Sequence, residues 1–282
     1  MSEGTRVFKL PKAGWKGQLT SYDAYNVDLS FLEDFLKDRG LTLPGMTDNH
    51  WHEYVEYRKQ GPKKSFGYSA QGRALSAARS LLTHLGMPKG EHPLWDVEWP
   101  SGPRAPQRSV TKAQRDKLLA WAANTHKPER NQALIHLIWC IGGRRFEIAD
   151  ALWEHVDLEE REIWLLTKAD DLKPRDWELK TYSHTAARAL RLWKEIAPNN
   201  RRIFGLELEG ISSLWKRAGA KVGFKVSSHD FRRGLGKFMA DNGVSDTVGM
   251  QQMGLKDHSN YQNYTAGAEP KRVLDAIWGE DE

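Results

Sequence analysis

Three short segments carry side chains that together could act on a phosphate. In Ser228-His229-Asp230-Phe231-Arg232-Arg233, His229 and Arg232 stand three residues apart, which puts both on one face of a helix near its start. Unpaired N–H groups and the helix dipole make that end favourable for an anion. Arg232 can grip two non-bridging oxygens as a bidentate fork, while His229 supplies a titratable hydrogen bond. In Ile141-Gly142-Gly143-Arg144-Arg145-Phe146-Glu147-Ile148, Arg144 and Glu147 have the spacing of a helix ion pair worth about 0.2–0.5 kcal/mol. The third segment, Gln252-Met253-Gly254-Leu255-Lys256-Asp257-His258, is followed by Tyr261 and by Tyr264-Thr265. Read singly, these are a solvated basic helix start, an ordinary ion pair and a packing tyrosine.

Other patterns fail on spacing. Gly234-Leu235-Gly236-Lys237 is not a phosphate loop, because its first glycine is misplaced and Phe238 stands where a hydroxyl should bind magnesium. His50 and His52, two apart, point to different sides of a helix and make a poor metal pair. Cys140, the one cysteine, lies in an apolar helix as inert packing; it excludes an internal disulfide framework and a cysteine-based zinc module. There is no GxSxG elbow. No metal or cofactor is expected.

Composition bounds the answer further. The chain has 282 residues, enough for two ordinary domains, and its 39% hydrophobic and 28% charged content reads as soluble and globular. Its 42 Lys+Arg and 37 Asp+Glu give a net charge of +5, which permits an anionic partner without demanding one. Folding must therefore gather scattered cations onto one face. The longest apolar stretch, Ala133 to Ile141, is too short to span a bilayer. With a polar N-terminus, the expectation is a cytoplasmic protein with no membrane partner.

The elements that must position these groups follow from periodicity. Leu29, Leu32, Phe35 and Leu36 fall at helical spacing before Gly40. Thr47 caps a second helix carrying Trp51, Tyr54 and Val55, which ends at Gly61. Leu75, Ala78, Leu81, Leu82 and Leu85 form the stripe of a third, closed by Gly86. Such helices with short loops make a small bundle. Pro100 to Arg108 reads as an extended linker, after which Thr111 and Gln114 open a new helix with a capping box. Beyond it, Ala133–Cys140 is a central helix, while 161–166 and 177–179 are strand candidates around a charged loop. Helices resume at 185–196, 211–222, 228–241 and 245–253. The fold class is mainly α, with a small antiparallel β-hairpin set into the C-terminal domain.

Taken in order, the three segments resemble the tyrosine recombinase (phage integrase) family. That family carries an Arg in a TG-x-R-x-x-E segment, a Lys on a β-hairpin, H-x-x-R on a helix, then L-G-H and a Tyr nine residues after that His. Arg144 takes the first position, with Gly142 and Glu147 around it, and His229 and Arg232 take the H-x-x-R positions. Met253-Gly254-Leu255 aligns with L-G-H, and Tyr264 stands nine residues beyond Leu255. Arg175-Asp176-Trp177-Glu178-Leu179 fits the closing half of the family hairpin, making Lys168 the match for its lysine and Lys173 the fallback. Leu255 departs from the pattern, since it cannot donate a hydrogen bond where His or Trp normally does; His258, one helical turn on, is the candidate substitute.

The resemblance covers about residues 16 to 278 and implies a domain plan. A tail (1–15), too short for the family's arm-site-binding domain, precedes a helical core-binding domain (16–100) and a linker (101–110). A catalytic domain (111–268) and a C-terminal helix or tail (269–282) follow. It implies cleavage and rejoining of double-stranded DNA by Tyr264 through a 3′-phosphotyrosyl link, without a cofactor, in a homotetramer that exchanges C-terminal helices. Arg144 and Arg232 would neutralise the phosphate, Lys168 would protonate the leaving oxygen, and His229 would handle the tyrosine proton. The rival reading is a recombinase-fold DNA-binding protein with weak or lost cleavage, suggested by Leu255.

Overall fold

The computed structural model describes residues 22–61, 66–102, 107–167 and 176–265. The chain divides into two compact units, Met1–Ala105 and Pro106–Glu282. The first is built on three helices, α1 (Tyr22–Asp38), α2 (Asp48–Gln60) and α3 (Tyr68–His84). Thr47 caps α2 in a box closed by the imidazole of His50, so that histidine is occupied at a helix end. The apolar stripes meet as expected: Leu29, Phe35, Trp51, Tyr54, Leu75, Ala78 and Leu82 are all buried in one core. A buried Asp28 on α1 receives the guanidinium of Arg73 on α3, with Nε 2.6 Å from a carboxylate oxygen.

In the second unit α4 (Lys112–Ala122) opens on the Thr111–Gln114 capping box, and α5 (Pro128–Ile141) runs through the centre. The face of α5 carrying Leu134, Ile135, Ile138 and Ile141 is buried, and the helix packs on α4, on α7 (His184–Ile196) and on α9 (Ser228–Asp241). Between α5 and α7 lie α6 (Arg145–Asp150) and a three-stranded antiparallel sheet. Its strands are β1 (Val156–Asp157), β2 (Glu162–Leu166) and β3 (Trp177–Thr181). The helix α8 (Leu208–Val222) precedes α9, and α10 (Asp246–Met253) and α11 (His258–Thr265) close the described chain.

The sheet differs from the sequence reading in three ways, the first being that β1, absent from the expected hairpin, pairs with β2 through Val156–Ile163 and Asp157–Glu162. Residue 161 belongs to the turn before β2, where Arg161 adopts a left-handed φ of 60°. The third strand continues past Leu179 to Thr181, pairing Ile163 with Lys180 and Glu162 with Thr181. That extension was hidden because Lys180 occupies an inward-facing position where strand alternation calls for an apolar residue. Among the described residues no helix is long and apolar enough to cross a membrane, and no cluster of three or more His, Cys, Asp and Glu could hold a metal.

Candidate active site

The C-terminal end of α5 delivers the first arginine. The helix stops at Gly142, which takes the left-handed conformation, and Arg144 then starts α6. Glu147, 2% exposed, accepts from the Arg144 backbone N–H at 2.7 Å and from its Nη1 at 2.6 Å. The carboxylate thus fixes both the helix start and the guanidinium, and the predicted ion pair is present.

Helix α9 delivers the next two groups. Ser227 caps it through Asp230, whose buried carboxylate also faces Arg108 at 3.7 Å and Arg233 at 3.6 Å. His229 lies partly exposed at the mouth of a cavity of about 330 Å³, together with Arg144, Arg145, Ser212, Trp215 and Arg232. Arg232 is 1% exposed, a departure from the solvated arginine that a lone HxxR suggests. Its Nη1 donates to the Gly142 carbonyl at 2.9 Å and its Nη2 to the Met253 carbonyl. The expected fork of terminal nitrogens is therefore already engaged by backbone; Nε is the buried nitrogen without a protein partner. A buried, uncommitted N–H on a cation is what an incoming anion would satisfy.

Tyr264 arrives from α11. Its ring centroid lies 5.3 Å from the Arg232 guanidinium carbon and 5.5 Å from the His229 ring. This approach depends on Gly236 in the middle of α9. A Cβ there would sit 2.8 Å from the Tyr264 Cβ and 3.3 Å from the Met253 sulfur. A mid-helix glycine costs about 1 kcal/mol relative to alanine. Here it lets α11 lie directly against α9. The same Gly-x-Gly that fails as a phosphate loop was the available signal for this close approach.

The electrostatics suit proton transfer. Partial burial, and then the guanidiniums of Arg233, Arg232 and Arg144, push the His229 imidazole below the ordinary histidine value, leaving it neutral and able to accept a proton near pH 7. Burial, then Arg144, pushes the Arg232 value down, opposed by Tyr264 and Glu147; a guanidinium stays charged nonetheless.

The remaining candidates divide. Lys168 and Lys173 both lie outside the described residues. Leu255 packs against the small core of Leu235, Met239, Met253 and Tyr261 and presents no donor. His258 sits on the surface at the start of α11, with Nε2 2.5 Å from an Asp246 carboxylate oxygen. Tyr261 is fully buried; burial, then Asp246, pushes its phenol up, and its hydroxyl has no partner. Of the two tyrosines, Tyr264 is the one beside the arginine and histidine. Sequence reasoning missed Gly236, and also Lys180 and Gln252, which tie β3 to the end of α10. Gln252 has no sequence signature, because its partners include backbone carbonyls.

Across residues 108–270 the sequence matches the family described as the phage integrase family. The fold is similar to that of the XerH site-specific recombinase bound to palindromic difH substrate in a post-cleavage complex, with a TM-score of 0.70 and 15% identity over 93% of this chain and 81% of that one. It is also similar to the Tn1549 transposon integrase (aa 82-397) in complex with circular intermediate DNA, with a TM-score of 0.66 and 14% identity over 93% and 95% of the two chains. A lambda integrase dimer bound to a COC' core site gives a TM-score of 0.63 and 15% identity over 88% and 73%. At such identities the likeness is one of fold.

Proposed function

The chain belongs to the phage integrase family of tyrosine-type site-specific DNA recombinases, and from that premise we propose that it cleaves and rejoins duplex DNA through a 3′-phosphotyrosyl intermediate. One observation carries the reading. Tyr264, His229 and Arg232, from helices separated in the chain, meet beside a cavity that Arg144 also lines.

In this reading the Tyr264 oxygen attacks the scissile phosphorus as its proton passes to the neutral His229. A Tyr–O–P bond forms and the P–O5′ bond breaks. The electron pair leaves on the 5′-oxygen, which takes a proton from Lys168 or, failing that, Lys173. Charge gathering on the non-bridging oxygens is met by the Arg232 Nε–H and by Arg144; losing one such donor costs about 2.7–4 kcal/mol. The ester bond's energy is conserved, so another 5′-hydroxyl can attack and reseal.

The proposal includes the domain plan: a core-binding domain (16–100), a linker (101–110), a catalytic domain (111–268) and a C-terminal segment (269–282). It includes a tetramer on double-stranded DNA in which that C-terminal segment passes between protomers, acting in the cytoplasm. Most DNA contacts go to phosphates and weaken as salt rises. Leu255, which offers no donor, supports the second reading, a DNA-binding member with weak or lost cleavage.

A duplex nicked beside the scissile phosphate separates the two, because loss of the short product traps the covalent complex. The enzyme reading expects a protein–DNA adduct that survives denaturation. Specific duplex binding with no adduct from the natural sequence would establish the second reading instead.

A further inference from the structure

Lys180 on β3 is 2% exposed, among the most deeply buried large side chains of the described residues. Its pair partner on β2, Ile163, is also buried, so the pleat turns the lysine into the interior where an aliphatic residue would serve. Burying an ammonium is costly unless it is well paired, and packed apolar side chains would often do as well. The charge at this position therefore calls for an explanation.

Its contacts supply one. The Lys180 Nζ lies 3.0 Å from a Glu178 carboxylate oxygen and donates to the Gln251 carbonyl at 3.2 Å. Gln251 is in the last turn of α10, where carbonyls lack intrahelical partners. The next residue, Gln252, donates through Nε2 to the Cys140 carbonyl at 3.0 Å and the Thr181 carbonyl at 2.8 Å. The one after it, Met253, offers the carbonyl that holds Arg232 Nη2. Three consecutive residues are thus tied in turn to β3, to β3 and the end of α5, and to the arginine.

Gly254 completes the arrangement. It has a left-handed φ of 60°, and a Cβ there would fall 1.7 Å from the Glu178 carboxylate oxygen and 2.7 Å from Lys180 Nζ. The lysine–glutamate pair therefore sits directly against the turn that leads from α10 to the helix of Tyr264. Burial lowers the lysine's proton affinity, while Glu178 and then Glu147 oppose that shift.

We propose that Lys180 is a positioning residue for Arg232: its ammonium fixes the last turn of α10, so that the Met253 carbonyl holds the guanidinium with Nε–H free for the phosphate. This rests on the reading of the site as one that cleaves a phosphodiester.

The test uses the full chain with Lys180→Met, and with Glu178→Leu/Lys180→Met, in which the whole pair becomes apolar. Two readouts are taken on each: the single-turnover rate of adduct formation against duplex affinity, and solvent exchange of the Arg232 Nε proton in the free protein. Expected is an adduct rate lower by about 10- to 100-fold, the scale on which small misplacements act, with affinity within about threefold. Protection of the Nε proton should fall by about tenfold. The double variant should fold yet keep both defects, whereas a purely structural lysine would be replaced without loss. A folded variant with wild-type rate or unchanged protection overturns the proposal. If the natural sequence forms no adduct, the cleavage reading fails, and the exchange measurement still decides the role of Lys180. If Lys180→Met does not fold, the double variant carries both readouts; failure of both to fold assigns Lys180 to the core and also overturns it.

Discussion

At the end of α5, Arg144 keeps 34% of its side chain in solvent and is steadied by the Glu147 carboxylate, whereas on α9 Arg232 is buried and gripped by the carbonyls of Gly142 and Met253. One charge is neutralised by its neighbour and open to water. The other is held by carbonyl dipoles, with Arg144 opposing its charge and Tyr264 and Glu147 favouring it, and lies in a medium where its field is poorly screened. Two guanidiniums lining one cavity thus differ in what holds them, so they should differ in what replaces them. Carboxylate pairing tolerates any cation of about the right length. A carbonyl cradle requires the planar fork, because a compact ammonium cannot span both carbonyls.

The sharpest test of that contrast is conservative replacement at each arginine. Arg232→Lys should lower the adduct rate by about 10²–10³, the cost of removing a transition-state donor. It should also lower stability by about 1–3 kcal/mol through an orphaned carbonyl, read as a shift in the urea midpoint. Gly236→Ala should come next, at about 10–10² in rate with duplex affinity retained, since the added methyl pushes on the Tyr264 Cβ rather than on the DNA. Arg144→Lys should cost only about tenfold in rate and leave stability within about 0.5 kcal/mol. Equal losses at the two arginines would erase the distinction drawn between their settings.

A subtler effect belongs to His229, which in the proposed mechanism must be neutral to accept the tyrosine proton. Because burial and the surrounding guanidiniums lower its proton affinity, the adduct rate should hold steady as pH falls through about 6.5, histidine's ordinary value. It should decline only below that, and His229→Gln should remove the inflection. A decline centred at or above the ordinary value would mean that the cations do not act on this ring. Smallest of all is Tyr261→Phe. It deletes a buried hydroxyl without a partner, so the adduct rate should not change and stability should hold or rise by up to about 1 kcal/mol by urea unfolding.

What could be read from sequence was whatever depends on local spacing. The Thr111–Gln114 box, the Arg144–Glu147 pair and the apolar stripe of α5 are all statements about residues a few positions apart, and each of the three segments is legible for the same reason, even though the segments themselves are far apart in the chain. What could not be read is the part in which side chains answer to backbone. The partners of Arg232 are carbonyls 90 and 21 residues away, and a carbonyl looks the same at every position. Lys180 is obscure for a related reason: its charge breaks the strand pattern, which ends at Leu179. Gly236 reads in sequence as part of a failed phosphate loop, whereas in the fold it marks the closeness of two helices.

The most direct measurement is the site of attachment in the trapped adduct. After the nicked duplex is cleaved, the protein is digested, and the peptide spanning Asp257 to Lys271, which contains both Tyr261 and Tyr264, is fragmented in a mass spectrometer. The nucleotide mass should reside on Tyr264, with Tyr261 unmodified. A nucleotide on Tyr261, or on any residue remote from Arg232, would contradict the assembly of phenol, imidazole and guanidiniums around one phosphate.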